Sequence, residues 1–103
     1  MGAFIARQPK GLLCRFSSVV DTITHYNMTE EDYITYVQML RYGRSREEAE
    51  REAKDTIEHY IQPFSEVGRR FFPYNNTKKE FIKILREMGD DKTHITDLNS
   101  VDE

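Results

Sequence analysis

The segment Arg69-Arg70-Phe71-Phe72-Pro73-Tyr74 sets two guanidinium groups beside three aromatic rings. Such a run suits two kinds of recognition. Arginines can grip a nucleic-acid backbone while aromatic rings stack on bases. Arginine and tyrosine are also enriched among the residues that dominate protein-binding surfaces. A purely structural role is the third reading, with Phe71 and Phe72 anchoring a loop in the core and the arginines facing water. Arg69, Arg70, Phe72 and Tyr74 are therefore candidate partner-binding residues. Arg7, Lys10 and Arg15 extend the same basic surface if the fold brings the N-terminal strands near Arg69.

Nothing else in the chain carries a comparable pattern. Metal binding needs converging His, Cys or carboxylate ligands at short spacing, and His25, His59 and His94 are far apart. Cys14 is the only cysteine, so no internal disulfide forms and nothing argues for an oxidising compartment. It falls at an inward strand position, where a thiol behaves as a small apolar side chain. Ser17 and Ser18 lack the glycine elbow of a nucleophile, and the five glycines form no phosphate-binding loop. Carboxylates on the second predicted helix alternate with bases at helical spacing, as a solvated face does. The expectation is a protein without catalytic residues, cofactor or metal, which works through its surface.

The charge distribution agrees with a recognition role. The net charge is only −3. Residues 1–27 carry three bases against one acid, and 28–60 carry nine acids against five bases. Residues 61–88 then carry six bases against three acids, and 89–103 carry five acids against Lys92. Alternating blocks suggest distinct faces, whereas a general nucleic-acid binder is usually basic overall. The acids of residues 30–32, of the second helix and of the last segment offer a further reading, as a negative face for a basic groove. Helix capping explains residues 30–32 without any partner. No stretch is long and apolar enough for a signal peptide or membrane span, so the expected location is the cytoplasm.

The elements that must position these residues follow from local pattern. Residues 3–7 and 12–16 read as a β-hairpin around Gln8-Pro9-Lys10-Gly11, where Pro9 presets φ and Gly11 accepts a positive one. Leu12, Cys14 and Phe16 fall on one face, with Leu13, Arg15 and Ser17 on the other. Residues 18–24 either prolong the second strand or supply a third, since a lone hairpin is marginal in water. Thr29 precedes three acids and opens a helix that Gly43 closes. Ser45 opens a second with a capping box to Glu48; Ala49, Ala53 and Ile57 mark its buried stripe, and Pro63 stops it.

Residues 64–67 read as one helical turn before Gly68, and 69–74 as extended or loop-like. A third capping box, Thr77 with Glu80, opens a last helix whose apolar face is Phe81, Ile84 or Leu85, and Met88, with Gly89 closing it. Residues 90–103 read as a flexible acidic tail behind one α+β domain over residues 1–89. Tyr26 to Ile34 echoes Tyr74 to Ile82 as Tyr-Asn-x-Thr-x-x-acid-aromatic-Ile, which two independent helix starts explain better than a duplication. The sequons at Asn27 and Asn75 read likewise as helix starts.

The opening, Met1-Gly2-Ala3-Phe4-Ile5-Ala6-Arg7-Gln8-Pro9-Lys10-Gly11-Leu12-Leu13-Cys14-Arg15-Phe16-Ser17, resembles a family of small proteins from phages and mobile elements of Gram-positive bacteria. Tyr26-Asn27-Met28-Thr29-Glu30-Glu31-Asp32-Tyr33 and Pro63-Phe64 fit the same resemblance. No catalytic motif comes with it. Proteins of this size in such elements include anti-CRISPR inhibitors. The resemblance thus implies a cytoplasmic host-protein binder that engages an RNA-guided nuclease and blocks DNA binding or cleavage. A small nucleic-acid-binding accessory protein is the alternative.

Overall fold

A computed structural model describes residues 2–89, so the expected tail lies outside the described residues. The fold is α+β: three antiparallel strands in the order β1-β2-β3, then four helices. The strands are β1 (Ala3–Arg7), β2 (Leu13–Ser17) and β3 (Thr22–Met28). The helices are α1 (Glu30–Met39), α2 (Arg46–His59), α3 (Ser65–Arg70) and α4 (Lys78–Glu87). Among the described residues no helix is long and apolar enough to cross a membrane.

Helices cover both faces of the sheet, which is why the central strand β2 is buried on both sides. On one face Ile5, Leu13 and Met28 meet Tyr33, Ile34 and Val37 of α1 and Ala49 and Ala53 of α2. On the other, Ala6, Cys14, Phe16 and Ile23 meet Phe64, Val67 and Phe71 around α3, and Phe81, Leu85 and Met88 around α4. The chain changes faces at the outer edge of β1. There the Gln62 N–H donates to the Ile5 carbonyl at 2.8 Å, in a single parallel bridge opposite Ala6. That crossing places α3, and the arginines at its end, opposite α1 and α2.

All three capping boxes form, at Thr29 with Asp32, Ser45 with Glu48 and Thr77 with Glu80. Thr29 and Thr77 cap identically, yet Tyr26 before the first lies in a strand and Tyr74 before the second in a turn. The shared cap accounts for the echo between them without a duplication.

Four local readings change. The third strand exists but starts at Thr22, because residues 18–21 make the turn, with Asp21 at φ 58°. Helix α1 stops at Met39, and Gly43 (φ 82°) sits in the following loop rather than ending the helix. Helix α2 ends at His59, short of Pro63, because Gln62 has joined the sheet edge. Arg69 and Arg70 are helical, not extended, and Gly68 is buried inside α3.

Asn27 interrupts β3 with φ 57°, a left-handed conformation that Asn tolerates better than most residues. The register of β2 against β3 slips at this point, as in a β-bulge. The bulge turns the Asn27 N–H toward Gln8, whose Oε1 accepts it at 2.6 Å. The Gln8 Nε2 donates in return to Asn27 Oδ1 at 2.8 Å. Gln8 is only 3% exposed, so this pair ties the β1–β2 turn to β3 inside the molecule. Gln8→Ala removes both bonds, leaves the Asn27 N–H without its acceptor, and should lower unfolding free energy by about 1–2 kcal/mol in chemical denaturation. An unchanged denaturation midpoint would show the pair to be dispensable.

Candidate partner-binding surface

The Arg69–Tyr74 segment divides into an anchor and a display. Phe71 is fully buried and stacks on Phe81, ring centroids 4.0 Å apart and planes 15° from parallel. Its neighbours are held by hydrogen bonds to the β2–β3 turn. The Phe72 N–H donates to the Asp21 carbonyl at 3.2 Å, and Asn75 Nδ2 to the Val20 carbonyl at 3.0 Å. A tight turn around Pro73 closes with the Tyr74 N–H donating to the Phe72 carbonyl at 2.7 Å. With the loop fastened at both ends, Phe72 is left 58% exposed and Tyr74 76%. Only half of the structural reading therefore holds: Phe71 anchors and Phe72 does not.

Arg69 and Arg70 occupy the last turn of α3, where cations also suit the helix dipole. Both reach back to Glu66, Arg69 Nη1 to Oε2 at 2.9 Å and Arg70 Nε to Oε1 at 3.0 Å. The Arg70 guanidinium also lies over the Phe4 ring, 5.2 Å from its centroid. Hydrogen bonds from Arg69, then Arg70, hold the Glu66 carboxyl below the usual glutamate range. The clamp is therefore present above that range and opens only as pH falls through the lowered value. Glu66 is the residue that sequence reasoning missed. Its spacing of three and four from the arginines is the signal, legible only once the segment is helical.

The other candidate bases do not join this surface. Arg7 and Lys10 flank the β1–β2 turn, at the opposite end of the strands from residues 18–21, which hold Phe72 and Asn75. Arg7 donates to the Gly11 carbonyl at 2.7 Å and pairs with Glu30 at 3.6 Å. Arg15 projects from the other face of the sheet. Its guanidinium lies 5.5 Å from the centroid of Tyr36 in α1, and Nη1 donates to Thr24 Oγ1 at 2.8 Å. A groove of about 740 Å³ opens there, lined by Ile5, Arg15, Tyr33, Tyr36, Tyr60 and Gln62 among others. His25 packs on the same Tyr36 ring at 4.8 Å. Burial first, and Arg15 second, push its pKa below the usual histidine value.

The acids make a poor negative face, because many already have partners. Glu30 pairs with Arg7, Glu31 with Arg46, Glu50 with Lys54 and Glu52 with Arg44. Asp32 and Glu48 are spent on helix caps. Cys14 is fully buried, and that burial pushes its thiol up to about 12, far from a reactive thiolate. Among the described residues no three His, Cys, Asp or Glu side chains are placed to hold a metal ion. His94 lies outside the described residues. No protein-family model, curated protein or solved structure matches this chain.

Proposed function

We propose that this chain is a non-enzymatic binding protein that docks on a partner protein through Arg69, Arg70, Phe72 and Tyr74. One observation carries the reading: two aromatic side chains on either side of Pro73 stand more than half exposed on a loop fastened by hydrogen bonds. A fastened loop loses little freedom on binding, so burial of the rings converts more fully into affinity. Arginine and tyrosine are the side chains that most often dominate such interfaces. A nucleic-acid reading of this same surface is weaker, since Glu66 already offsets half the charge of the two arginines. Phosphate binding depends on uncompensated cations.

The partner nominated is a host RNA-guided nuclease. That nomination rests on the resemblance of the opening residues to small phage and mobile-element proteins. Its test is affinity capture from a bacterial lysate holding the nuclease and its guide, followed by a DNA-cleavage assay with the purified components. The expected result is a retained complex and lost cleavage. A nuclease that neither binds nor slows removes the nomination, leaving the surface to be tested against whatever the chain retains.

A further inference from the structure

We infer that the outer face of α4 docks on the phosphate backbone of a nucleic-acid duplex, independently of the Arg69–Tyr74 surface. The helix is strongly two-sided. Phe81 and Leu85, with Met88 just beyond its end, are buried against the sheet. At about 100° per residue, Lys79, Lys83 and Arg86 fall within one narrow arc opposite that apolar stripe. All three are exposed.

The two acids of α4 sit to one side and already have other partners. Glu80 accepts the Thr77 N–H at 2.9 Å as part of the helix cap. Glu87 accepts the Tyr26 hydroxyl at 2.7 Å. Lys10 extends the row from a different element. Its methylenes lie over Gly89, so closely that a Cβ there would come within 2.8 Å of the Lys10 Cδ. Three cations thus lie along the outer face of α4 over about 10 Å, taking 1.5 Å of rise for each residue from Lys79 to Arg86, and Lys10 adds a fourth just past the helix end.

Among the described residues none of these four forms an ion pair with a carboxylate. Arg7, Arg44, Arg46, Lys54, Arg69 and Arg70 all do. Of the net positive charge of residues 61–88, the larger part therefore resides on α4, since Glu66 offsets one of the two charges of Arg69 and Arg70.

The chemistry of the face selects the occupant. A protein interface is organised around buried apolar or aromatic anchors. None of the exposed large apolar side chains lies on α4. A row of cations without anchors is what phosphate contact requires, and duplex DNA supplies a charge about every 1.7 Å along its axis. Phosphate contacts position a protein without reading sequence, so binding should be sequence-independent. With a chain of net charge −3, it should also be weak, micromolar or weaker at low salt.

The test is fluorescence polarisation of the full chain against a labelled random-sequence DNA duplex at several salt concentrations. Four contacts predict a log–log salt slope of about −3 to −4, or roughly a hundredfold loss between 50 and 200 mM. The triple variant Lys79→Gln, Lys83→Gln and Arg86→Gln should bind more than tenfold more weakly, with a slope near about −1. Should that variant fail to fold, Lys10→Gln alone should reduce the slope by about one. Absence of binding at low salt overturns the proposal, as does a folded triple variant that binds like the parent. Polyglutamate competing as well as unlabelled duplex also overturns it, in favour of an acidic protein partner.

Discussion

Phe71→Ala should lower the unfolding free energy by about 3–5 kcal/mol, the usual cost of truncating a buried aromatic side chain. Phe71 has no exposed surface, and its ring lies flat on Phe81 at 4.0 Å. Its removal opens a cavity where α3, α4 and the sheet meet. A domain of this size holds on the order of 5–15 kcal/mol in total, so one truncation takes a large share. The melting temperature followed by circular dichroism should fall by at least about 10 °C. Phe72→Ala, one residue away, should change stability by no more than about 0.5 kcal/mol, because its ring faces water. Equal losses at the two positions would mean that the loop does not divide into anchor and display.

The second large effect is on binding. Truncating both Phe72 and Tyr74 to alanine should weaken the partner complex by about 2 kcal/mol or more, roughly thirtyfold. The rings add no more than local packing to the isolated chain, whereas in a complex both would lose their contact with water. Their loop is already held by the Asp21 and Val20 carbonyls, so the wild-type surface arrives ordered. The truncated variant should keep its melting temperature while losing affinity, which separates a binding role from a folding one. A titration of the captured partner reads the parent chain and the variant on one scale.

The parts of the fold legible in the sequence are those decided within a few residues. Thr29, Ser45 and Thr77, each followed at the third position by an acid, mark helix starts that the structure reproduces with both bonds of each capping box. The first turn is equally local, since Gly11 takes the positive φ that closes the β1–β2 turn. The rest is decided by packing. Val19 and Val20 have the β-branched character of a strand yet lie in a turn, because Asp21 accepts the left-handed conformation that reverses the chain. His25, Tyr26 and Asn27 break the alternation of a strand, since the bulge at Asn27 shifts which side chains face the core.

Helix α3 is legible only as the turn over residues 64–67, and its continuation through Gly68 to Arg70 carries no local signal. It is six residues long, contains Gly68 and follows a proline, and burial of Phe64, Val67 and Phe71 holds it in place. The candidate site shares that history. Reading residues 69–74 as one loop hid both the Glu66 clamp and the division of labour between Phe71 and Phe72. The condition on which Arg7, Lys10 and Arg15 would extend that surface is not met, since the fold separates them from Arg69 by the length of the strands and by the thickness of the sheet.

The claim that function resides on the Arg69–Tyr74 surface is tested most directly by the dissociation constant of the captured partner for two variants. These are the Phe72→Ala/Tyr74→Ala pair and the Arg69→Glu/Arg70→Glu pair, which adds two acids beside Glu66. Both should bind at least about thirtyfold more weakly than the parent chain; the first should melt close to it, and the charge reversal somewhat lower, because it sets like charges beside Glu66 at the end of α3. Undiminished affinity in both folded variants would place the partner on another face and contradict the account.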